Sequence, residues 1–205
     1  MSSLVLACGA LVRELRAVLG QFGDYDLDLA VDVEYLPAPL HNRPERIPAA
    51  VREVVDRRGA DYDRVVLGYA DCGTGGRLDA LADELDLTRL PGAHCYEFLA
   101  GSAVFEALHD AEPGTFYLTD YLARYFDALV IGGLGLDRHP ELRDVYFGNY
   151  RRLCFLSQTD DPALLTAART AAQQLGLEFV HRPTGLAPLA SAMADLVGVP
   201  VLIRR

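Results

Sequence analysis

Residues 65–85 read VVLGYADCGTGGRLDALADEL and pass from an apolar run, through a glycine-rich loop, into an amphipathic segment. The β-branched run from Val65 to Tyr69 predicts a buried strand. Apolar residues then recur at helical spacing, which predicts a helix from Arg77 to Leu85. A strand that leads through a short loop into a helix is one half of a βαβ unit, and such units build parallel sheets.

The same alternation continues in both directions along the chain. Further strands are predicted at 4–7, 29–36, 88–90, 115–118, 153–156, 177–180 and 201–203. Further helices are predicted at 10–19, 44–58, 96–108, 162–175 and 189–196, and one begins near 120. This order predicts an α/β fold with a mostly parallel sheet and helices on both faces, a Rossmann-like three-layer sandwich. We expect a single domain over residues 1–205, with a loop at 132–139 that can separate two lobes.

The chain is acidic, with a formal net charge of −10 over 205 residues. All 19 basic residues are Arg and none is Lys. The acidic balance argues against nucleic-acid binding and against docking on anionic lipid, because both need a positive surface. The absence of Lys excludes a Schiff-base lysine, a pyridoxal-phosphate enzyme and a P-loop lysine.

The location and partners follow from the apolar runs and the charge. No apolar run approaches the roughly 18 to 20 residues that span a bilayer. The N-terminal segment lacks a basic region, and its apolar run is too short for a signal peptide. We therefore expect a cytoplasmic protein with no nucleic acid and no membrane as partner; the small anionic molecule expected as its ligand follows from the arginine and the glycine-rich loop described below. A protein partner or a second copy of the chain stays open.

Three of the four cysteines directly follow predicted strands: Cys8, Cys72 and Cys95. Ligands of open α/β sheets bind beyond the carboxyl ends of the strands, so we expect these thiols at one edge of the sheet. Thiolates are soft ligands that suit zinc and iron–sulfur clusters. The sequence therefore predicts a metal site at the three cysteines that holds zinc or a [4Fe–4S] cluster. Cys154 lies inside a predicted strand and is expected in the core.

Two histidines lie near the same predicted edge. His94 directly precedes Cys95, and His41 follows the second strand. Either imidazole can supply a fourth metal ligand, and His94 can alternatively act as a catalytic general base. Each can equally be an ordinary polar surface residue.

Residues suited to an anion follow the predicted strands as well. The guanidinium of Arg43 can bind an anionic group through its bidentate fork, although the segment HNRPE at 41–45 also reads as a helix start. The glycine-rich loop can offer free N–H groups to a phosphate or carboxylate, but it has neither dinucleotide nor P-loop spacing. The candidate substrate-binding residues are Arg43, His41, Gly73, Thr74, Gly75 and Arg182.

Several motifs stand in a distinctive order along the chain. Cys8-Gly9 and HNRP at 41–44 precede VLGYADCG at 66–73, PGAHC at 91–95 and PGTFYLT at 113–119. Over roughly residues 1–185 this set resembles the bacterial and archaeal family called domain of unknown function 1638. The resemblance implies a shared site without naming a reaction, and it implies a link to corrinoid and methylamine methyl-transfer genes. The family more often has Asp before its third Cys, where this chain has His94.

Three functions are compatible with these residues. The leading hypothesis is a metal-dependent lyase, hydrolase or transferase that acts on a small anionic or thiol substrate. The second is a non-catalytic module that holds or delivers a metal or cofactor for a partner, such as a corrinoid methyl-transfer system. The third is a metal-free cysteine enzyme with His94 as its base.

Overall fold

The computed structural model describes residues 2–23 and 30–199, which belong to two compact units. Of the described residues, the first unit comprises 2–23, 30–98 and 187–199, and the second comprises 99–186. Within the described residues the strands are β1 (Ser2–Cys8), β2 (Ala30–Leu36), β3 (Arg64–Gly68), β4 (Thr88–Arg89), β5 (Thr115–Leu118), β6 (Arg152–Ser157) and β7 (Glu178–Pro183). The α-helices are α1 (Val12–Gly23), α2 (Ile47–Arg58), α3 (Arg77–Glu84), α4 (Cys95–Ala100), α5 (Ser102–Ala111), α6 (Asp120–Arg124), α7 (Leu142–Phe147), α8 (Pro162–Leu175) and α9 (Ala187–Val197).

The first unit is built on a parallel sheet with the strand order β2-β1-β3-β4. Leu4, Val5, Leu6 and Ala7 of the central strand β1 are all fully buried. Because successive side chains of a strand point to opposite faces, both faces of this sheet are covered. Helix α1 packs against α9, and α2 packs against α3. The predicted α/β fold with parallel strands flanked by helices is therefore confirmed.

The second unit has its own parallel sheet, in the order β5-β6-β7. Its core packs Leu153 and Phe155 of β6 against Ala168 of α8. Cys154 is fully buried, as expected for a core residue. The loop at 132–139, suggested as a division between lobes, lies inside this unit, whereas the two units meet along the chain at 98/99 and 186/187. The prediction of a single domain stays a prediction.

Two predicted elements, the helix at 96–108 and the strand at 201–203, are not found as single described elements. The helix predicted at 96–108 is interrupted at Gly101, whose φ of +85° lies in the left-handed region, so the segment forms the separate helices α4 and α5. The strand predicted at 201–203 lies outside the described residues. In the part of the chain that the structure describes, no helix has the length and apolarity needed to cross a membrane.

Candidate functional site

The topology of the first sheet favours a ligand in the crevice between β1 and β3. The chain runs from β1 to β2 on one side, and then crosses to β3 on the other side. Sheets whose strand order reverses in this way bind ligands beyond the carboxyl ends of the two strands at the reversal. Cys8 is the last residue of β1, and Cys72 lies in the loop that follows β3. Both residues therefore lie where this sheet favours a ligand.

The thiol of Cys8 has two polar neighbours. Nδ1 of His41 lies 3.4 Å from Sγ of Cys8, and the N–H group of Ala10 donates to this sulfur over 3.3 Å. His41 is exposed as a residue, but its ring stacks on Tyr69 with 6.4 Å between centroids. Desolvation of the ring lowers the pKa of His41, partly offset by a backbone hydrogen bond with Ala38. The imidazole is therefore neutral at pH 7, the form that binds a metal.

The thiols of Cys8, Cys72 and Cys95 lie close enough to affect one another's ionisation. Burial raises the pKa of Cys8 to about 11. Burial and then the charge of Cys8 raise the pKa of Cys72 to about 12. Burial and then the charges of the other two cysteines raise the pKa of Cys95 well above 9.0. Cys72 and Cys95 are partly exposed as residues, so the desolvation concerns their thiol groups. The structure thus brings the three predicted cysteines to one edge.

Backbone hydrogen bonds join the loops that carry Cys72 and Cys95. The N–H group of Cys72 donates to the carbonyl of Ala93 over 2.9 Å, and that of Asp71 donates to the carbonyl of Gly92 over 3.1 Å. Cys72 has a φ of +51°, in the left-handed region. This conformation costs a residue other than glycine about 1–2 kcal/mol. Such backbone strain is found mostly at functional sites.

The candidate metal ligands are not pre-assembled in the structure. Among the described residues, no group of three or more His, Cys, Asp and Glu side chains is placed to hold a metal ion. Sγ of Cys8 is instead engaged with His41 and Ala10. Joint ligation would require the thiols to turn to other staggered rotamers, which a cysteine side chain can do by rotation about a single bond. Metal binding by the three cysteines therefore stays a prediction.

The glycine-rich loop after β3 is organised by Asp71. Its carboxylate accepts hydrogen bonds from the N–H groups of Gly75 and Gly76, at 3.1 and 3.0 Å, and from the hydroxyl of Thr74. Burial alone would raise the pKa of Asp71, but these hydrogen bonds outweigh it and the pKa is lowered. Two N–H groups that an anion could use are thus already bonded inside the loop. Anion binding by Gly73, Thr74 and Gly75 stays a prediction.

The hydroxyl of Tyr69 is a buried polar group that no pattern in the sequence singled out. Tyr69 is 1% exposed, and its hydroxyl makes no hydrogen bond of normal geometry with any described residue. Burial, followed by the charges of Cys8 and Cys72, raises the pKa of Tyr69, so the hydroxyl lies within electrostatic reach of both thiols. Cys8 also weakly hydrogen-bonds this hydroxyl outside normal geometry. A buried polar atom without a good partner is uncommon and often indicates the position of a ligand.

Glu14 of α1 is a second missed residue. It is 7% exposed, and its charge is among the causes that raise the pKa of Cys95. A signal for it exists in the sequence, since Glu14 falls within the apolar stripe of Leu11, Leu15 and Val18, which are all buried. An acidic residue on the buried stripe of a helix is an exception that calls for a functional or structural reason.

The remaining candidates lie elsewhere. His94 is exposed and its ring lies against Tyr96, with 6.1 Å between centroids. Among the described residues, the histidine in contact with a cysteine is His41. Arg43 is exposed and lines an open pocket beside the cysteines' edge. Arg182 lies on β7 and thus belongs to the second unit. The roles predicted for His94 and the arginines stay predictions.

The carboxyl edge of the second sheet carries oxygen and nitrogen side chains. The buried carboxylate of Asp120 accepts from the N–H group of Gln158 over 3.1 Å and from the hydroxyl of Thr159 over 2.5 Å. The N–H group of Asp120 donates to Oε1 of Gln158 over 3.0 Å. Oγ of Ser157 and Nε2 of His181 lie 2.9 Å apart. Asp120, Gln158 and Thr159 thus satisfy one another, and Ser157 and His181 form a second pair.

Comparison with known proteins adds one result. No curated protein and no solved structure matches the chain. A family model described as "Protein of unknown function (DUF1638)" matches residues 35–193, a region that contains His41, Cys72 and Cys95 but begins after Cys8. Because the match covers more than half of the chain, the protein belongs to the DUF1638 family.

Proposed function

We propose that this protein binds zinc or a [4Fe–4S] cluster through Cys8, Cys72 and Cys95, and that it is an enzyme for a small anionic or thiol compound. The observation that carries the proposal is that Cys8 and Cys72 lie at the strand-order reversal of a parallel sheet, while backbone hydrogen bonds tie the loop before Cys95 to the loop that carries Cys72. Each cysteine follows a different strand, so the fold and not a local sequence motif gathers them. Convergence of this kind is typical of a binding site.

The chemistry of the donor groups fits a soft metal. Thiolates are the preferred protein ligands of zinc and of iron–sulfur clusters, and neutral imidazole is a suitable fourth ligand. His41 is in position for that role because its Nδ1 already lies 3.4 Å from Sγ of Cys8. His41 would have to give way for a substrate to reach the metal, which would then supply a Lewis acid at the position that the three cysteines leave open.

The protein's own groups would orient the bound substrate. The buried hydroxyl of Tyr69 lies within electrostatic reach of the thiols of Cys8 and Cys72 and has a proton to donate. It can donate to a thiolate or to a substrate atom in the crevice, where burial excludes competing water. Glu14, whose charge reaches Cys95, places a carboxylate on the α1 side of the same edge.

Two other functions use the same residues. A metal or cofactor carrier for a partner, such as a corrinoid methyl-transfer system, would bind the metal without turnover. A metal-free cysteine enzyme would use the contact between Cys8 and His41. A thiol nucleophile, however, needs a lowered pKa, whereas burial raises the pKa of Cys8 and lowers that of His41. We therefore place the metal-dependent enzyme first.

The test is the metal content and visible spectrum of protein purified without oxygen. Wild type is compared with Cys72→Ala, and Cys154→Ala serves as the matched control because Cys154 is buried in the core of the second unit. We expect stoichiometric metal in the wild type and the control, and its loss from Cys72→Ala.

The spectrum identifies the metal. A brown protein with broad visible absorption contains an iron–sulfur cluster, and a colourless protein with one equivalent of zinc contains a zinc site. Wild type without stoichiometric metal, or equal metal in Cys72→Ala, overturns the proposal. Metal binding without turnover on any small thiol or anion would favour the carrier.

A further inference from the structure

An open pocket of about 350 Å³ lies in the first unit beside the edge that carries the cysteines. It is lined by Pro37, Pro39, Leu40, Asn42, Arg43 and Arg46. Three of these residues are apolar, and the others present one amide and two guanidinium groups. Small-molecule sites have this composition, with mostly apolar walls and a few polar groups that fix orientation. Its volume is at the lower end of the range of such sites.

The two arginines of the pocket are available to a ligand. Arg43 and Arg46 are exposed, and within the described residues neither side chain makes a hydrogen bond or an ion pair. By contrast, Arg57 and Arg58 of the adjacent helix α2 both pair with Glu34. In a chain with a net charge of −10, two unpaired cations on one small pocket form a local site for negative charge.

The segment that lines the pocket is held against the cysteines' edge at two points. His41, which lies between Leu40 and Asn42, contacts Sγ of Cys8. Pro44 packs against the loop after Cys72, since a Cβ atom added to Gly73 would lie 3.6 Å from Cγ of Pro44. A molecule in the pocket is therefore adjacent to the end of β1, which carries Cys8, and to the loop that carries Cys72.

We propose that this pocket binds a small organic phosphate, or a similar doubly charged anion with a short apolar part, through Arg43 and Arg46. Two guanidinium groups match the two charges and the several oxygens of a phosphate monoester. The walls at Pro37, Pro39 and Leu40 accept the apolar part. That this ligand is the substrate rests on the function proposed above, but binding of the anion itself needs no metal.

The test is a calorimetric titration of the full chain, with and without metal, using phenyl phosphate and inorganic phosphate as probes. The variant Arg43→Gln/Arg46→Gln removes both cations from the pocket. The variant Arg13→Gln/Arg52→Gln is the matched control, because it removes the same charge from the surface of the first unit without touching the pocket. We expect binding of one phenyl phosphate to wild type, tighter than phosphate. The pocket variant should lose at least about tenfold in affinity, and the control less than about twofold.

The results of this titration decide whether the pocket binds the anion and whether that binding depends on the metal centre. Absence of saturable binding to wild type, or equal losses in both double variants, overturns the inference. Metal analysis of the same samples separates it from the proposed function. Wild type without metal that still binds phenyl phosphate through the two arginines removes the metal centre and keeps the pocket. Metal-loaded protein without arginine-dependent binding removes the pocket and keeps the metal centre.

Discussion

The two parallel sheets differ in whether the polar groups at their carboxyl edges are hydrogen-bonded to one another. In the second sheet, polar groups that follow the strands satisfy one another, as Asp120 does with Gln158 and Thr159. In the first sheet, the buried hydroxyl of Tyr69 lies within electrostatic reach of two thiols and has no partner of normal hydrogen-bond geometry among the described residues. The position of an edge in the fold is therefore not enough to identify a site. A site is indicated where buried polar groups at that edge are left unsatisfied.

The largest expected effect on stability is at the carboxyl edge of the second sheet. We expect Asp120→Ala to lower the free energy of unfolding by about 3 kcal/mol, because the buried N–H group of Gln158 and the hydroxyl of Thr159 lose their acceptor. Urea unfolding followed by circular dichroism measures the change. Asp110→Ala, which removes the same charge from an exposed position of α5, should stay within about 0.5 kcal/mol of wild type. Equal losses in the two variants would remove the contrast between the edges.

A somewhat smaller effect on stability is expected when zinc is added, at the edge of the first sheet that carries the cysteines. Zinc at 100 times its dissociation constant should stabilise the metal-free protein by about 2.7 kcal/mol, since it binds the folded state. Thermal unfolding with and without zinc measures this gain. Cys72→Ala should show no gain, and Cys154→Ala should keep it. A gain of the same size in Cys72→Ala would place the zinc elsewhere.

A third prediction concerns the strained backbone at Cys72. In metal-free protein we expect Cys72→Gly to be about 1 kcal/mol more stable than Cys72→Ala, because glycine adopts a φ of +51° without strain. Chemical denaturation of the two variants gives the difference. Asp86, with a φ of +53°, provides the same comparison away from the cysteines. An alanine variant at Cys72 as stable as the glycine variant would show that the backbone there is not strained.

The smallest expected effect on stability comes from the ion pairs of Glu34, at the surface of the first sheet. Burial would raise the pKa of Glu34, but hydrogen bonds from Arg58 and Arg57 outweigh it and hold the pKa below 4.5. A lowered carboxyl pKa stabilises the folded state above the unfolded pKa, and this contribution is lost as pH falls through the folded pKa. Glu34→Gln should cost about 0.5 kcal/mol at pH 7 and progressively less below pH 4.5.

The measurement for Glu34 is thermal unfolding as a function of pH. Glu53→Gln, an exposed position on α2, is the charge-matched control. If the cost of Glu34→Gln stays constant down to pH 3, the ion pairs with α2 contribute nothing to stability. In that case the ion pairs at the surface of the first sheet would add nothing to stability, just as the hydroxyl of Tyr69 at its carboxyl edge is left unsatisfied.

The α/β fold and the grouping of the cysteines were predictable because both depend on local patterns. Periodicity locates strands and helices, and Cys8, Cys72 and Cys95 each follow a strand. The division into two sheets was not predictable, because strand pairing depends on contacts between distant parts of the chain. The break at Gly101 was missed since one glycine inside an apolar helical pattern is often tolerated.

The details of the site depended on loop paths that periodicity does not describe. His41 reaches Cys8 because residues 38–42 form a 3-10 turn that brings the ring back to β1, whereas His94, next to Cys95 in the sequence, is exposed. The glycine-rich loop was expected to offer free N–H groups, but Asp71 at its start accepts two of them. Side chains of Asp at the start of such loops commonly bond the backbone that follows.

The first unit is discontinuous in the chain, and this has a consequence for biosynthesis. Helix α9, which packs on α1 and contacts β3, is reached only after residues 99–186 have been translated. Domains fold as units while synthesis proceeds, so the second unit can fold before the first is complete. During that interval the thiols at 8, 72 and 95 are already translated, while the layer formed by α1 and α9 is still unfinished. A metal or cluster that binds only the completed first unit would therefore be inserted late, after α9 has been translated.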